Sequence, residues 1–278
     1  MSRFKVHCEL RYTVTTPTSF SFAVLAARNA RQQVIEEQLV ITPERAATRA
    51  PLEPSGHDLV RLVAEPGPLS LSYDATVEVS AFVPGSAPTA ESPYEDLPTD
   101  VLLYLNPSRY CQSDLLSRVA SKSFGDVAPG FERVTAVCDW VYDHLEYVPG
   151  STDASSTAID VLVAGAGVCR DYAHLSISLC RALGIPVRYV SGYAIALDPP
   201  DFHGFFEAYL GDAWYLFDAT RMSRTDGLVR IATGRDAADA SFAAMVGAAT
   251  LDLLEVSAID LDSTEPGAPQ FPTAISTA

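Results

Sequence analysis

From residue 4 to residue 14 apolar and polar side chains alternate strictly, with Phe4, Val6, Cys8, Leu10, Tyr12 and Val14 on one side and Lys5, His7, Glu9, Arg11 and Thr13 on the other. A period of two sustained over that length predicts a half-buried β-strand. The same period returns over residues 69–79, where Leu69, Leu71, Tyr73, Ala75, Val77 and Val79 alternate with Ser70, Ser72, Asp74, Thr76 and Glu78. Shorter candidate strands lie at residues 20–26, 34–41 and 59–64, separated by turn clusters such as Pro51-Leu52-Glu53-Pro54-Ser55-Gly56. Successive strands with no intervening helix predict a small antiparallel β-sandwich over residues 1–90.

Between Pro84 and Pro107 the chain turns to Pro, Ser, Ala, Glu and Asp, and residues 91–107 read as an exposed linker. The pattern beyond is helical. A short helix is expected at residues 114–121, and residues 131–145 place Val134, Val137, Cys138, Val141 and Leu145 on one stripe. A third helix, from about residue 168 to 183, is apolar on nearly every face and is stopped by Gly184 with Pro186 just beyond. Such a helix belongs at the centre of a domain. Residues 187–194 then read as a strand, and residues 203–210 and 213–220 as a hairpin about Gly211-Asp212. Helices followed by an antiparallel sheet make residues 108–262 an α+β domain, with residues 263–278 as a loose tail.

Composition narrows the setting. The chain is 48% hydrophobic and 19% charged, which is ordinary for a globular protein and argues against disorder. Its net charge of −16 repels phosphate backbones and anionic lipid heads, so neither nucleic acid nor membrane is an expected partner. The five cysteines form no C-x-x-C pair and lie in a chain long enough to fold without staples. With no apolar leader after Met1 and no apolar run of membrane length, the chain reads as cytoplasmic.

The candidate chemistry sits at the head of the third helix, in Gly167-Val168-Cys169-Arg170-Asp171-Tyr172-Ala173-His174. Unpaired backbone N–H groups and the positive dipole end favour a thiolate there, and the same amides can face an oxyanion. Gly165-Ala166-Gly167 allows close backbone approach. Asp171, in the same first turn, opposes a thiolate unless it pairs with a base such as Arg170. The hairpin supplies the partners. A two-residue loop at Gly211-Asp212 pairs Leu210 with Ala213, which puts His203 and Asp218 on one face as diagonal neighbours roughly 7–8 Å apart at the backbone. A three-residue loop would turn Asp218 to the other face. Cys169 as nucleophile, His203 as base and Asp218 as the acid that orients it then make an acyl-transfer triad. The Cys169 N–H is one oxyanion donor, and Tyr147 is a candidate for the second.

Gly-Val-Cys-Arg-Asp-Tyr-Ala, a histidine opening a strand, and Trp214-Tyr215-Leu216-Phe217-Asp218-Ala219-Thr220 together resemble the core of the transglutaminase-like superfamily. The resemblance spans roughly residues 139–220, and the β-rich start is similar to bacterial two-domain members that carry an N-terminal β-sandwich. It implies a papain-like catalytic domain and maps nucleophile, base and orienting acid onto Cys169, His203 and Asp218. One departure stands out. Many relatives follow the histidine with Ala-Trp, whereas this chain has His203-Gly204-Phe205, which is expected to open space beside the base.

Cys138 and Cys180 are expected in the core, as is His174, five positions along the helix from Cys169. No cluster at metal-binding spacing occurs, and the glycine run lacks the features of a phosphate loop, so no metal or cofactor is expected. The leading expectation is a hydrolase, a protease or amidase that cleaves peptide or glutamine amide bonds of peptide or protein substrates through a thioester. The alternatives are a glutamine amine transferase that cross-links proteins and a catalytically silent peptide-binding scaffold.

Overall fold

The computed structural model describes residues 1–53, 55–84, 90–263 and 274–278. Six strands open the chain: β1 (Ser2–Val14), β2 (Thr18–Phe22), β3 (Gln32–Thr42), β4 (Ala47–Leu52), β5 (His57–Ala64) and β6 (Gly67–Val79). The strict alternation of β1 and β6 is what buries them: every second residue from Phe4 to Val14, and from Leu69 to Val79, is inside. The two strands pair antiparallel along their full length, Ser2 against Val79 and Val14 against Gly67. Short β4 has no buried residue and no alternation to announce it, and it escapes the sequence pattern.

The second half supplies α1 (Ser113–Phe124), α2 (Phe131–His144), β7 (Glu146–Tyr147), α3 (Ala158–Ala164), β8 (Ala166–Gly167) and α4 (Cys169–Ala182). Then follow β9 (Val187–Ala194), β10 (Phe202–Leu210), β11 (Ala213–Phe217) and β12 (Leu228–Gly234). These four strands form one antiparallel sheet in the order β11-β10-β9-β12, and α4 packs on it with every residue from Asp171 to Arg181 buried. The fold is α+β, an all-β unit followed by helices and an antiparallel sheet, as the periodicity predicts. Among the described residues no helix is long and apolar enough to cross a membrane.

The chain then returns to its beginning. β13 (Ala243–Val246) pairs with β2, and β14 (Ala249–Asp260) pairs with β1, so the sandwich sheets run β13-β2-β5-β4 and β14-β1-β6-β3. Residues 243–260, expected in the second domain, therefore complete the first. β14 hides this in the sequence because only Val256 on it is buried and its pairing slips opposite Arg11 and Tyr12, which breaks the alternation.

Two further expectations are corrected by packing. The proposed exposed linker at residues 91–107 instead buries Leu97, Val101 and Tyr104 against Tyr209, with the Tyr104 ring edge-on to Trp214 at 5.3 Å. Of the tail, residues 264–273 lie outside the described residues, as do residues 85–89 ahead of the linker. Residues 274–277, expected to be loose, are buried: Leu216 N donates to Ile275 O at 2.8 Å, and Arg230 donates to the Thr277 hydroxyl at 2.9 Å. Proline, serine and alanine mark a segment without regular structure, and here such segments lie across apolar surface.

Candidate active site

Cys169 is the first residue of α4, preceded by Val168 in an extended conformation. It is half-buried, whereas Cys8, Cys111, Cys138 and Cys180 are fully enclosed. The turn is fixed by Asp171, which is wholly buried. Its Oδ2 accepts from Val168 N at 3.0 Å and from the Thr152 hydroxyl at 2.5 Å, and its Oδ1 accepts from Arg170 Nε and Nη2 at 3.1 and 2.9 Å. Asp171 is thus a helix cap whose charge is matched by Arg170, which settles how an acid can share the first turn with Cys169. Gly167 is needed for this fit, since a Cβ there would lie 2.8 Å from Asp171 Cβ.

The hairpin has the two-residue loop. Leu210 pairs with Ala213 and Phe206 with Phe217, while Gly211 and Asp212 both adopt positive φ, the geometry of a tight turn that matches strand twist. His203 and Asp218 consequently face each other, and His203 Nε2 lies 3.0 Å from Asp218 Oδ2 with both side chains buried. A carboxylate only accepts, so Nε2 carries the proton of this bond and Nδ1 is the ring's free acceptor. Nδ1 is buried and has no hydrogen-bond partner among the described residues, and Cys169 and His203 line the same cavity. Burial alone would lower the imidazole pKa, but the charge and hydrogen bond of Asp218, with a smaller contribution from Cys169, raise it to about 10.

Asp218 is itself held. Its Oδ1 accepts from Thr220 N at 2.9 Å and from the Thr220 hydroxyl at 2.7 Å, and Ser223 N reaches Oδ2 at 3.3 Å. The spacing of Asp218 and Thr220 marks a local turn in the sequence, and the same carboxylate serves both turn and histidine. Phe205 completes the cage, edge-on to the His203 ring with centroids 4.6 Å apart.

Tyr147 reaches the site through β7, which pairs in parallel with β8 so that Tyr147 sits opposite Gly167. Burial, followed by the neighbouring Cys169, pushes the pKa of its phenol up. His174 does not join the site. It is fully buried, its Nε2 accepts from Ala237 N at 3.1 Å, and its ring stacks on Tyr110.

A cavity of about 460 Å³ opens beside Cys169 and His203, with Phe242, Ala244 and Leu254 from the chain's return to the sandwich on its far side. The space expected beside Gly204 is already taken, because a Cβ at Gly204 would lie 2.6 Å from the Tyr189 hydroxyl. Tyr189 is beyond sequence reach, since its place beside Gly204 depends on the pairing of β9 with β10, Phe206 against Tyr189 and Gly204 against Ser191.

Comparison with known proteins agrees with this fold. Residues 118–219 match the transglutaminase-like superfamily, and residues 2–87 match the bacterial transglutaminase N-terminal domain. The crystal structure of "a Putative Cysteine Protease from Cytophaga hutchinsonii" is 41% identical, covers 100% of this chain and 98% of its own, and superposes with a TM-score of 0.94. An uncharacterized protein of Mycobacterium tuberculosis is 32% identical over 206 residues, which cover 69% of this chain and 65% of that protein. One from Mycobacterium leprae is 31% identical over 144 residues, 49% of this chain and 51% of its own. The match thus spans less than two thirds of these mycobacterial relatives' length.

Proposed function

This chain belongs to the transglutaminase-like superfamily, and from that premise we propose that it is a cysteine-dependent acyl-transfer enzyme that hydrolyses peptide or glutamine amide bonds. The observation that carries the reading is the buried His203–Asp218 bond at 3.0 Å, with Nδ1 of the same ring unpartnered among the described residues and Cys169 in the same cavity lining. In this reading the Cys169 proton has passed to His203 Nδ1, and the thiolate Sγ attacks the carbonyl carbon. The resulting oxyanion is met by the Cys169 backbone N–H and the Tyr147 hydroxyl. As the tetrahedral intermediate collapses, the C–N bond breaks, His203 returns the proton to the leaving nitrogen, and a thioester remains on Cys169. Water, activated by the same imidazole, then releases the acid and restores the thiol.

Asp218 keeps the imidazole in the tautomer that accepts at Nδ1 and stabilises its cation, and Thr220 and Ser223 hold Asp218 in place. Asp171 and Arg170 act one layer further out by fixing the turn that presents Cys169. Incubation of a peptide mixture with the wild type and Cys169→Ala, with and without a primary amine, tests the proposal by mass. Hydrolysis, deamidation and amine incorporation give different mass changes. The expected result is hydrolysis that requires Cys169, and dominant amine incorporation would instead assign the enzyme to cross-linking.

A further inference from the structure

The cavity beside Cys169 is walled mainly by aliphatic and aromatic residues, Tyr110, Ile231, Ala237, Ala240, Phe242 and Leu254. Two hydroxyls also face it, those of Tyr189 and Ser191. The residues lie two apart on β9 and so share a face of the sheet. Tyr189 is 5% exposed and Ser191 8% exposed, and the Ser191 Oγ is buried with no hydrogen-bond partner among the described residues. Buried polar groups are normally satisfied, and an unsatisfied hydroxyl at a pocket wall, with a second hydroxyl two residues away, is explained by a group on a ligand.

The charged groups of the lining are Arg170, His203 and the acidic, exposed Asp201. Arg170 is engaged with Asp171 and with the Asp153 carbonyl at 2.8 Å, and His203 with Asp218 at 3.0 Å, so both cations already have a carboxylate partner and an acidic side chain finds no free countercharge there. Gly204 makes the arrangement possible, because it lies opposite Ser191 and its missing Cβ leaves the place that the Tyr189 hydroxyl occupies.

We propose that this cavity receives the side chain of the acyl donor and selects tyrosine, whose ring the apolar walls accept and whose phenol hydroxyl bonds to Tyr189 and Ser191. The assignment rests on the acyl-transfer reading for its meaning as specificity, but the pocket can be tested without turnover. A site built to bond a substrate hydroxyl discriminates strongly against the analogue that lacks it.

The test is calorimetric titration of Cys169→Ala with capped tripeptides Gly-Xaa-Gly, where Xaa is Tyr, Phe, Leu, Lys or Asp. The tyrosine peptide is expected to bind at least about tenfold more tightly than the phenylalanine peptide, with the aspartate peptide weakest. Adding Tyr189→Phe and Ser191→Ala together should bring the Tyr-to-Phe ratio to within about twofold while phenylalanine binding stays within about threefold. Gly204→Ala, which must displace the Tyr189 hydroxyl, should erode the same ratio. Absence of binding by every peptide, equal binding of Tyr and Phe, or a ratio unchanged in the double variant overturns the proposal. Parallel cleavage assays with the wild type separate the two readings: cleavage without side-chain preference removes the pocket assignment alone. Selective binding without any cleavage removes the acyl-transfer reading alone.

Discussion

Replacing Asp218 by Asn tests the origin of cysteine reactivity. The amide is nearly isosteric and can still accept from Thr220 through its carbonyl oxygen, so the local turn is expected to survive. Two things change at His203. The stabilising charge disappears, leaving burial, which lowers the imidazole pKa, to dominate a group now held at about 10. The amide NH2 in place of Oδ2 also forces Nε2 to accept, so that the ring proton moves to Nδ1 and blocks transfer from the thiol. Cys169 should then react like a free thiol, which with a pKa near 8.5 is only about 3% thiolate at pH 7. Relative to a fully formed thiolate–imidazolium pair, the labelling rate should fall about 30-fold at that pH. The assay is iodoacetamide modification of the native protein from pH 5 to 9, followed by mass spectrometry. The other four cysteines are buried, so the fast adduct reports Cys169. Labelling of Asp218→Asn with the wild-type rate and pH profile would refute the ion-pair reasoning.

Three further outcomes concern the frame around the site. Glu207, wholly buried between Arg188 and Arg230, has its pKa raised by burial but lowered further by both guanidiniums, to about 2. Its contribution is present above the ordinary 4.5 and is lost as pH falls from there through about 2; Glu207→Gln should cost about 3–5 kcal/mol at neutral pH in urea unfolding and flatten the acid limb in that window. His174 is neutral, its pKa held down to about 3 by burial and then by Arg170, so it removes stability as pH falls from 6.5 toward 3. His174→Phe, which orphans the Ala237 N–H, should lose about 1–3 kcal/mol at pH 7 and show less acid loss between those values in thermal melts. Leu175→Ala, at a fully buried position on α4, should cost about 2–5 kcal/mol, seen as a lower urea midpoint with an unchanged slope.

What the sequence disclosed follows from how local each signal is. β1, β6, α2 and α4 carry their own periodicity, and the hairpin register follows from two turn residues, so the meeting of His203 and Asp218 could be deduced without coordinates. α3 is only seven residues long and is set by a cap, Thr157 with Asp160, too short for a helical stripe. β14 belongs with β1 across more than two hundred residues, and no local pattern encodes a pairing that distant. The same limit explains the cavity wall. Tyr189, Ser191 and Gly204 converge only through the register of β9 with β10, and Gly204 looked like empty space because its occupant lies on another strand.

The central claim is that catalysis proceeds through an acyl group carried on Cys169. The direct measurement is to quench the wild type with acid during turnover of a cleavable peptide and determine the mass of the peptide segment that contains Cys169. The expected result is an added acyl fragment on Cys169 that hydroxylamine removes and that is absent from Cys169→Ala, which should also lose cleavage. Cleavage that persists in Cys169→Ala at the wild-type rate would contradict it.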